Sequence, residues 1–132
     1  MHRSFLLTAL LLVFTPPAGA MATSGTATGP GLSVSVSLTP DTAANGATVT
    51  ANESVTNTSA SKQSVVVTNT LADPTGGTVT RTKRVVLEPS ETFTQTATYV
   101  VDPTDARGIY TLSVTASARS GMATASAQVT YV

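Results

Sequence analysis

The feature that most constrains this chain is a strict alternation of apolar and small polar side chains that begins at Leu32. Leu32, Val34, Val36 and Leu38 are separated by single serine residues. Successive side chains of a β-strand point to opposite faces, so this pattern places every apolar residue of the segment on one face of a strand. Such a strand is typical of a sheet with one wet face and one face packed on a core.

Six further segments have strand character and follow at near-even spacing, separated by proline, glycine, asparagine and aspartate. The seven predicted strands are residues 32–39, 47–57, 64–71, 78–87, 92–101, 109–117 and 122–131. No segment after residue 20 has a 3.6-residue apolar period, and the abundant threonine and valine suit a pleated sheet. The pattern predicts an all-β fold, a seven-stranded antiparallel immunoglobulin-like or fibronectin-like sandwich.

The first 20 residues resemble a secretory signal peptide. Arg3 supplies a positive charge, residues 5–14 are almost entirely apolar, and residues 18–20 (Ala-Gly-Ala) match the small-x-small cleavage pattern. Cleavage is expected after Ala20, or after Ala22. An apolar run of about ten residues is too short to span a bilayer. We therefore expect a secreted or periplasmic chain with no stable membrane insertion after cleavage.

The rest of the chain has the length of one domain. Residues 21–31 have no periodicity and are rich in glycine, serine and threonine, so they are expected to form a flexible tail. Residues 32–132 are expected to form the sandwich.

Composition narrows the chemistry that the chain can perform. It has no cysteine, and its one histidine, His2, lies in the predicted leader. These two facts exclude disulfides, thiolate chemistry, His-activated nucleophiles and the usual His/Cys zinc sites from the mature chain. Seven basic residues balance seven acidic ones, which gives no nucleic-acid footprint. We expect a non-enzymatic protein without a cofactor.

Arg81, Lys83 and Arg84 form the one cluster of charge in the chain. They are the candidate binding patch, for a protein or a cell-wall polymer. Charged side chains on a border strand also protect a sheet from edge-to-edge aggregation. Both interpretations are open at the level of the sequence.

Glu53 lies on the same face of its predicted strand as Val49 and Val55. By the same parity, Arg81 and Lys83 lie on the apolar face of theirs. Strict alternation therefore predicts an ion pair between Glu53 and one of these cations at the rim of the core, because an unpaired buried charge is costly. A bulge that turns Glu53 outward is the alternative.

Other polar residues are expected to have structural roles. Tyr110 opens the sixth predicted strand, where sandwiches of this kind place a hydroxyl that bonds back to the preceding loop. Most acids lie beside prolines in connections, where aspartate caps its own backbone; a calcium site at Asp102 and Asp105 is the alternative. The threonine row at residues 92–98 is expected to be a solvated face, and the sequons at residues 52–54 and 57–59 are expected to be chance matches.

Three segments resemble motifs of a bacterial family. Residues 55–59 (Val-Thr-Asn-Thr-Ser) resemble Val-x-Asn-Thr-Gly, residues 87–92 (Leu-Glu-Pro-Ser-Glu-Thr) resemble Leu-x-Pro-Gly-Glu-Thr, and residues 108–114 (Gly-Ile-Tyr-Thr-Leu-Ser-Val) resemble Gly-x-Tyr-Thr-Leu-x-Val. Such motifs are found in bacterial Ig-like β-sandwich domains, including the accessory modules of secreted alpha-galactosidases and adhesion-related surface repeats. Ser59 and Ser90 stand where the family often has glycine, and Glu53 stands where it has an apolar residue.

The resemblance covers residues 32–132 and implies a spacer, accessory or adhesion module with no catalytic residues. The expected function is therefore that of a secreted, non-enzymatic Ig-like module in adhesion, cell-surface structure or accessory binding. One alternative is an assembly subunit or chaperone that exchanges an edge strand, through residues 32–38 or 129–132. Another is a small protease inhibitor that uses the loop at residues 71–77. The oligomeric state is left open.

Overall fold

The computed structural model describes residues 21–132, so the predicted leader lies outside the described residues. Nine strands form two sheets. The strands are β1 (Thr23–Gly29), β2 (Leu32–Thr39), β3 (Thr42–Ala43), β4 (Thr48–Asn57), β5 (Gln63–Ala72), β6 (Thr78–Leu87), β7 (Thr92–Val100), β8 (Gly108–Ala118) and β9 (Gly121–Tyr131). No helix in this part of the chain is long and apolar enough to cross a membrane.

The two sheets pack face to face as a sandwich, which confirms the predicted all-β sandwich. The first sheet has the order β1-β2-β4-β7, and the second has the order β3-β9-β8-β5-β6. All neighbouring strands are antiparallel except β3 and β9. The seven predicted strands are present with ends that shift by at most one residue, and β1 and the two-residue β3 are additional.

The core lies between the sheets and is built by the alternation seen in the sequence. Leu32, Val34 and Val36 of β2 are at most 1% exposed, and Leu112 and Val114 of β8 in the opposite sheet are fully buried. Burial of a branched side chain of this size contributes about 1.5–3 kcal/mol. The apolar faces of the two sheets therefore cover one another.

Residues 21–31 do not form the flexible tail that was expected, because most of them belong to β1. Every residue from Thr23 to Gly29 pairs with a residue of β2. The two strands are joined by a tight turn at Pro30 and Gly31, and Gly31 has a φ of 74°, in the left-handed region that favours glycine.

The small side chains of β1 have a packing reason. The strand lies beside β9 of the other sheet, and a Cβ atom at Gly25 or Gly29 would overlap the main-chain oxygen of Ser126 or Met122. The two glycines, four residues apart, allow the two backbones to approach closely. The lack of large side chains, which predicts flexibility from the sequence alone, therefore allows β1 to pack directly against β9 along this side of the sandwich.

Asn57, the last residue of β4, ties together connections at one end of the sandwich. It is fully buried, and its Nδ2 atom donates to the main-chain oxygens of Ser61 (2.8 Å) and Leu87 (2.9 Å). Its Oδ1 atom accepts from the main-chain N–H of Ser59 (2.9 Å) and from the Gln63 side chain (2.9 Å). The sequon at residues 57–59 is thus closed to modification in the folded chain, because its amide is buried and bonded.

Tyr110 makes the contact that the sequence suggests. Its hydroxyl donates a hydrogen bond to the main-chain oxygen of Ala106 (2.7 Å), in the connection that precedes β8. The ring itself is buried in the core. The residue therefore anchors the β7–β8 connection to the sandwich.

We expect Asn57→Ala to lower the free energy of unfolding by about 2–4 kcal/mol, because it leaves buried hydrogen-bonding groups without partners. Urea denaturation of the variant and the native chain measures the difference. The exposed Asn45→Ala is the matched control and should change stability by less than about 0.5 kcal/mol. A loss for Asn57→Ala no larger than that of the control would contradict the role given to this side chain.

Gly25→Ala and Gly29→Ala are each expected to destabilise the fold by about 1–3 kcal/mol, because an added methyl group overlaps the backbone of β9. Thermal unfolding provides the measurement. Thr26→Ala, at an exposed position of the same strand, is the control and should be close to neutral. If the glycine variants unfolded at the temperature of the control, β1 would not be packed against β9 as described.

Candidate functional site

Three strands of seven residues or more in the described part of the chain have an outer edge with no paired strand. The edge of β1 lies against β9, which leaves β6 in the second sheet and β7 in the first. A connection of four residues joins them, and they border the same side of the sandwich. We name this side the β6–β7 flank and define it by four residues that face the space between the sheets: Arg81 and Lys83 of β6, and Phe93 and Gln95 of β7.

The three cations predicted as a binding patch divide between two surfaces. Arg81 and Lys83 lie opposite Asn69 and Val67 of β5, so they point to the inner side of the second sheet. Arg84 points to the outer side, where its guanidinium donates to the Ser64 hydroxyl at 3.4 Å. All three are exposed because β6 is a border strand. Only Arg81 and Lys83 therefore belong to the flank.

Lys83 links the two sheets across the flank. Its Nζ atom lies 5.4 Å from the centroid of the Phe93 ring on β7. A cation over an aromatic face at an exposed site contributes about 0.5–1 kcal/mol. The contact also shows that an inner-face side chain of β6 reaches the level of β7.

The cations of the flank have no carboxylate partner among the described residues. The salt bridge between described residues joins Lys62, in the β4–β5 connection, to Glu88, in the β6–β7 connection, with an N–O distance of 3.7 Å. Arg81 and Lys83 thus present positive charge to solvent at an open border.

Glu53 points into the sandwich and not outward. It pairs in continuous register with Val36 of β2 and Gln95 of β7, and it is 5% exposed. The alternative of a bulge that turns Glu53 to solvent is therefore wrong. The strict alternation of β4 holds through this residue.

The predicted ion pair of Glu53 with Arg81 or Lys83 is not formed in the described structure. The partner of the carboxylate is instead the side chain of Asn69, on β5. The physical reason is the position of the strands: β6 is the border strand and its cations extend into water, whereas β5 lies one strand further inside and faces Glu53 across the core.

The surroundings of Glu53 favour its neutral form. Burial raises the pKa of the Glu53 carboxyl, and the hydrogen bond from Asn69 offsets part of this shift. Glu53 Oε1 and Asn69 Oδ1 are both buried acceptors without a hydrogen-bond partner. A carboxylic acid and an amide can form two complementary hydrogen bonds, so a proton on Glu53 supplies the donor that these two oxygens lack.

The acids of the connections act as turn residues. Asp102 Oδ1 accepts from the main-chain N–H and the hydroxyl of Thr104 (2.9 and 2.7 Å), and Asp105 Oδ2 accepts from the main-chain N–H of Asp102 (3.0 Å). No group of three or more His, Cys, Asp or Glu side chains in residues 21–132 is arranged to hold a metal ion. The calcium alternative at Asp102 and Asp105 therefore gains no support from the geometry.

The segments proposed for the alternative functions are tied into the fold. Residues 32–38 belong to β2, which pairs with β1 and β4, and residues 129–131 of β9 pair with β8. The loop at residues 71–77 ends β5 in a tight turn in which Asp73 Oδ1 accepts from the main-chain N–H groups of Thr75 and Gly77 (2.9 and 2.8 Å). Free strand edges lie elsewhere, on β6 and β7.

One surface feature was only partly visible in the sequence. On the outer face of the first sheet, every residue that alternates with the core positions is serine or threonine, except Asn52 and Val100. Hydrogen bonds join neighbouring strands across this face, for example between the hydroxyls of Thr56 and Thr92 (2.7 Å). The threonine row of β7 therefore forms the border of a wide uncharged surface. The extent of this surface follows from the order of the strands in the sheet, which the sequence alone does not show.

Comparison with known proteins supports the all-β sandwich fold and does not identify a family. No family model matches the sequence, and no curated protein matches it. The structure is similar to part of a Pseudomonas fluorescens alkylpurine DNA glycosylase, AlkC, solved bound to DNA containing an abasic site analog, with a TM-score of 0.55 and 16% sequence identity. The match covers 72% of this chain and 28% of that chain. At this identity the similarity shows a shared all-β sandwich, and it assigns the chain to no family.

The pH dependence of stability tests the state of Glu53. Its pKa in the folded chain lies above the ordinary value of 4.5, so the folded state holds the proton more tightly than the unfolded chain. The contribution of this group to stability is thus fully present below pH 4.5 and decreases as the pH rises through the folded-state pKa.

We expect Glu53→Gln to unfold at the same denaturant concentration as the native chain at low pH, and at a higher concentration at pH 7. Chemical denaturation between pH 4 and pH 8 gives both values, with the exposed Glu88→Gln as the control. A Glu53→Gln variant that is less stable than the native chain at pH 7 would show that the carboxylate has an ionic partner after all.

Proposed function

We propose that this chain is a secreted, non-enzymatic, immunoglobulin-like binding module that acts through the β6–β7 flank. Its role would be adhesion, cell-surface structure or accessory binding for another secreted protein. The observation that carries the proposal is the pair of exposed cations, Arg81 and Lys83, at the open border of the sandwich without carboxylate partners in the described residues.

The strand order supports an immunoglobulin-like topology. Apart from β1 and the two-residue β3, strands β2, β4 and β7 form one layer and β9, β8, β5 and β6 form the other. Along these seven strands the chain crosses between layers after β4, β6 and β7. This order corresponds to the arrangement in which an extra strand extends the layer that contains the last two strands. The hydrogen bond from Tyr110 to Ala106 has the character of the tyrosine corner of such domains.

The leader-like residues 1–20 and the polar surface support export.

The outer face of the first sheet is hydroxyl-rich and carries no charge, so long-range attraction to an anionic partner comes from β6. Three of the six cations after residue 20 lie on that one strand. Clustered positive charge steers anionic partners toward the surface that bears it.

Retention on purified bacterial cell wall tests the proposal. The native chain should be retained at low salt. Arg81→Gln/Lys83→Gln/Arg84→Gln, which removes the two cations of the flank together with the neighbouring Arg84 of β6, should lose about a hundredfold in affinity, because charge pairs at an interface each contribute on the order of 1 kcal/mol or more. The variant changes only exposed side chains, so its thermal unfolding should stay close to that of the native chain.

The chain provides a control of equal charge. The other three cations after residue 20 are Lys62, Arg107 and Arg119, and their replacement with glutamine removes the same charge from other surfaces. This control should stay bound. An equal loss in both triple variants would mean that net charge alone is responsible, and absence of retention together with absence of any flank-dependent partner in a pull-down from the native secretome would overturn the proposal.

A further inference from the structure

We infer that the β7 edge of the β6–β7 flank accepts an extended acidic segment of a partner protein as an added strand. The inference rests on the proposed function of this flank and names the class of its partner. It is carried by two separate features, an unprotected strand edge and a pair of cations beside it.

The edge of β7 lacks the usual protection of a border strand. Its nine residues, Thr92–Val100, include no charged residue, no proline and no glycine, and no described strand pairs with its outer side. The other borders are protected: β6 carries three cations, β1 lies against β9, and β3 has two residues. A long uncharged edge is the kind of border to which extended peptides add by main-chain hydrogen bonds.

The cations of the flank lie where the side chains of an added strand would point. Such a strand lies about 4.8 Å from β7, and every second side chain faces the layer that contains β6. Lys83 already reaches that level, since its Nζ atom is 5.4 Å from the ring of Phe93. Arg81 is two residues away on the same face of β6, so the two cations repeat at about 6.6–6.8 Å, which is also the repeat of alternate side chains in the added strand.

This geometry selects carboxylates at positions i and i+2 of the partner segment. Both cations are exposed and neither has a carboxylate partner among the described residues, so an acidic strand gains two charge-assisted contacts. The residues of the added strand that alternate with these carboxylates would extend the uncharged hydroxyl face of the first sheet. Their side chains need only be small and polar.

Two other occupants fit less well. A second copy of this chain paired through β7 would bring the Arg81 and Lys83 side chains of both copies toward one another, and like charges repel. Residues 1–20 of the chain itself contain no aspartate or glutamate. An acidic segment of a partner protein is therefore the occupant that best fits the flank.

A fluorescent peptide, Thr-Glu-Thr-Glu-Thr-Glu-Thr, titrated with the purified secreted chain, tests the inference by fluorescence anisotropy. Binding should weaken with salt and fall at least tenfold when lysine replaces every glutamate. A third peptide, Thr-Glu-Pro-Glu-Pro-Glu-Thr, has proline in place of the two inner threonines, which keeps all three glutamates in position while removing two main-chain donors. It should also lose at least tenfold, because proline interrupts the ladder.

Charge reversal on the protein completes the test. Arg81→Glu/Lys83→Glu should bind the lysine peptide and reject the glutamate peptide, whereas Arg107→Glu/Arg119→Glu should behave as the native chain does. Circular dichroism and thermal unfolding check that both variants are folded. Amide exchange should slow along β7 when the glutamate peptide binds.

The outcomes separate this inference from the proposed function. Equal binding of the proline and alternating peptides, with no protection of β7, would overturn strand addition while leaving the cations as an anion-binding surface, as for a cell-wall polymer. Failure of every peptide to bind, with flank-dependent retention on cell wall intact, would also overturn it. Loss of flank dependence in both experiments would overturn the proposed function as well.

Discussion

Burial of alternating side chains between two sheets is the constraint on which the rest of this molecule depends. The chain has no cysteine, so no disulfide contributes to the fold, and the core residues of β2 and β8 are almost completely buried. Each long strand gives one face to that core and leaves the other to water. The hydroxyl-rich outer faces follow from this division.

The two flanks of the sandwich are closed by opposite means. On one flank, Gly25 and Gly29 allow β1 to lie directly against the backbone of β9, which leaves little room for a partner. On the other, long charged side chains from β6 span the gap to β7, as Lys83 does over Phe93. A flank filled by flexible, solvated side chains can admit another chain, whereas a flank closed by two backbones cannot. Because of this asymmetry, the side formed by β6 and β7 is the more accessible side of the sandwich.

The alternation of side chains along a strand predicts which face each charged residue lies on, but not whether the residue is buried. The examples are Glu53, Arg81 and Lys83. The two-residue period correctly places all three on the inner side of their strands. It does not say which strand is interior and which is a border, and that decides whether a charge is buried. On interior β4, Glu53 meets Asn69 and its pKa rises because of burial; on border β6, the cations extend into solvent.

The sequence by itself determined seven of the nine described strands, their faces and the sandwich, because a period of two is a local property that a few consecutive residues express. It also identified Tyr110 and the acidic turns, whose partners lie within a few residues. The tertiary structure alone decided the order of the strands, the place of β1 and the open flank. Those depend on contacts between distant residues, such as Asn57 with Leu87 and Thr23 with Gln128, which lie 30 and 105 positions apart, and no local pattern encodes such pairings.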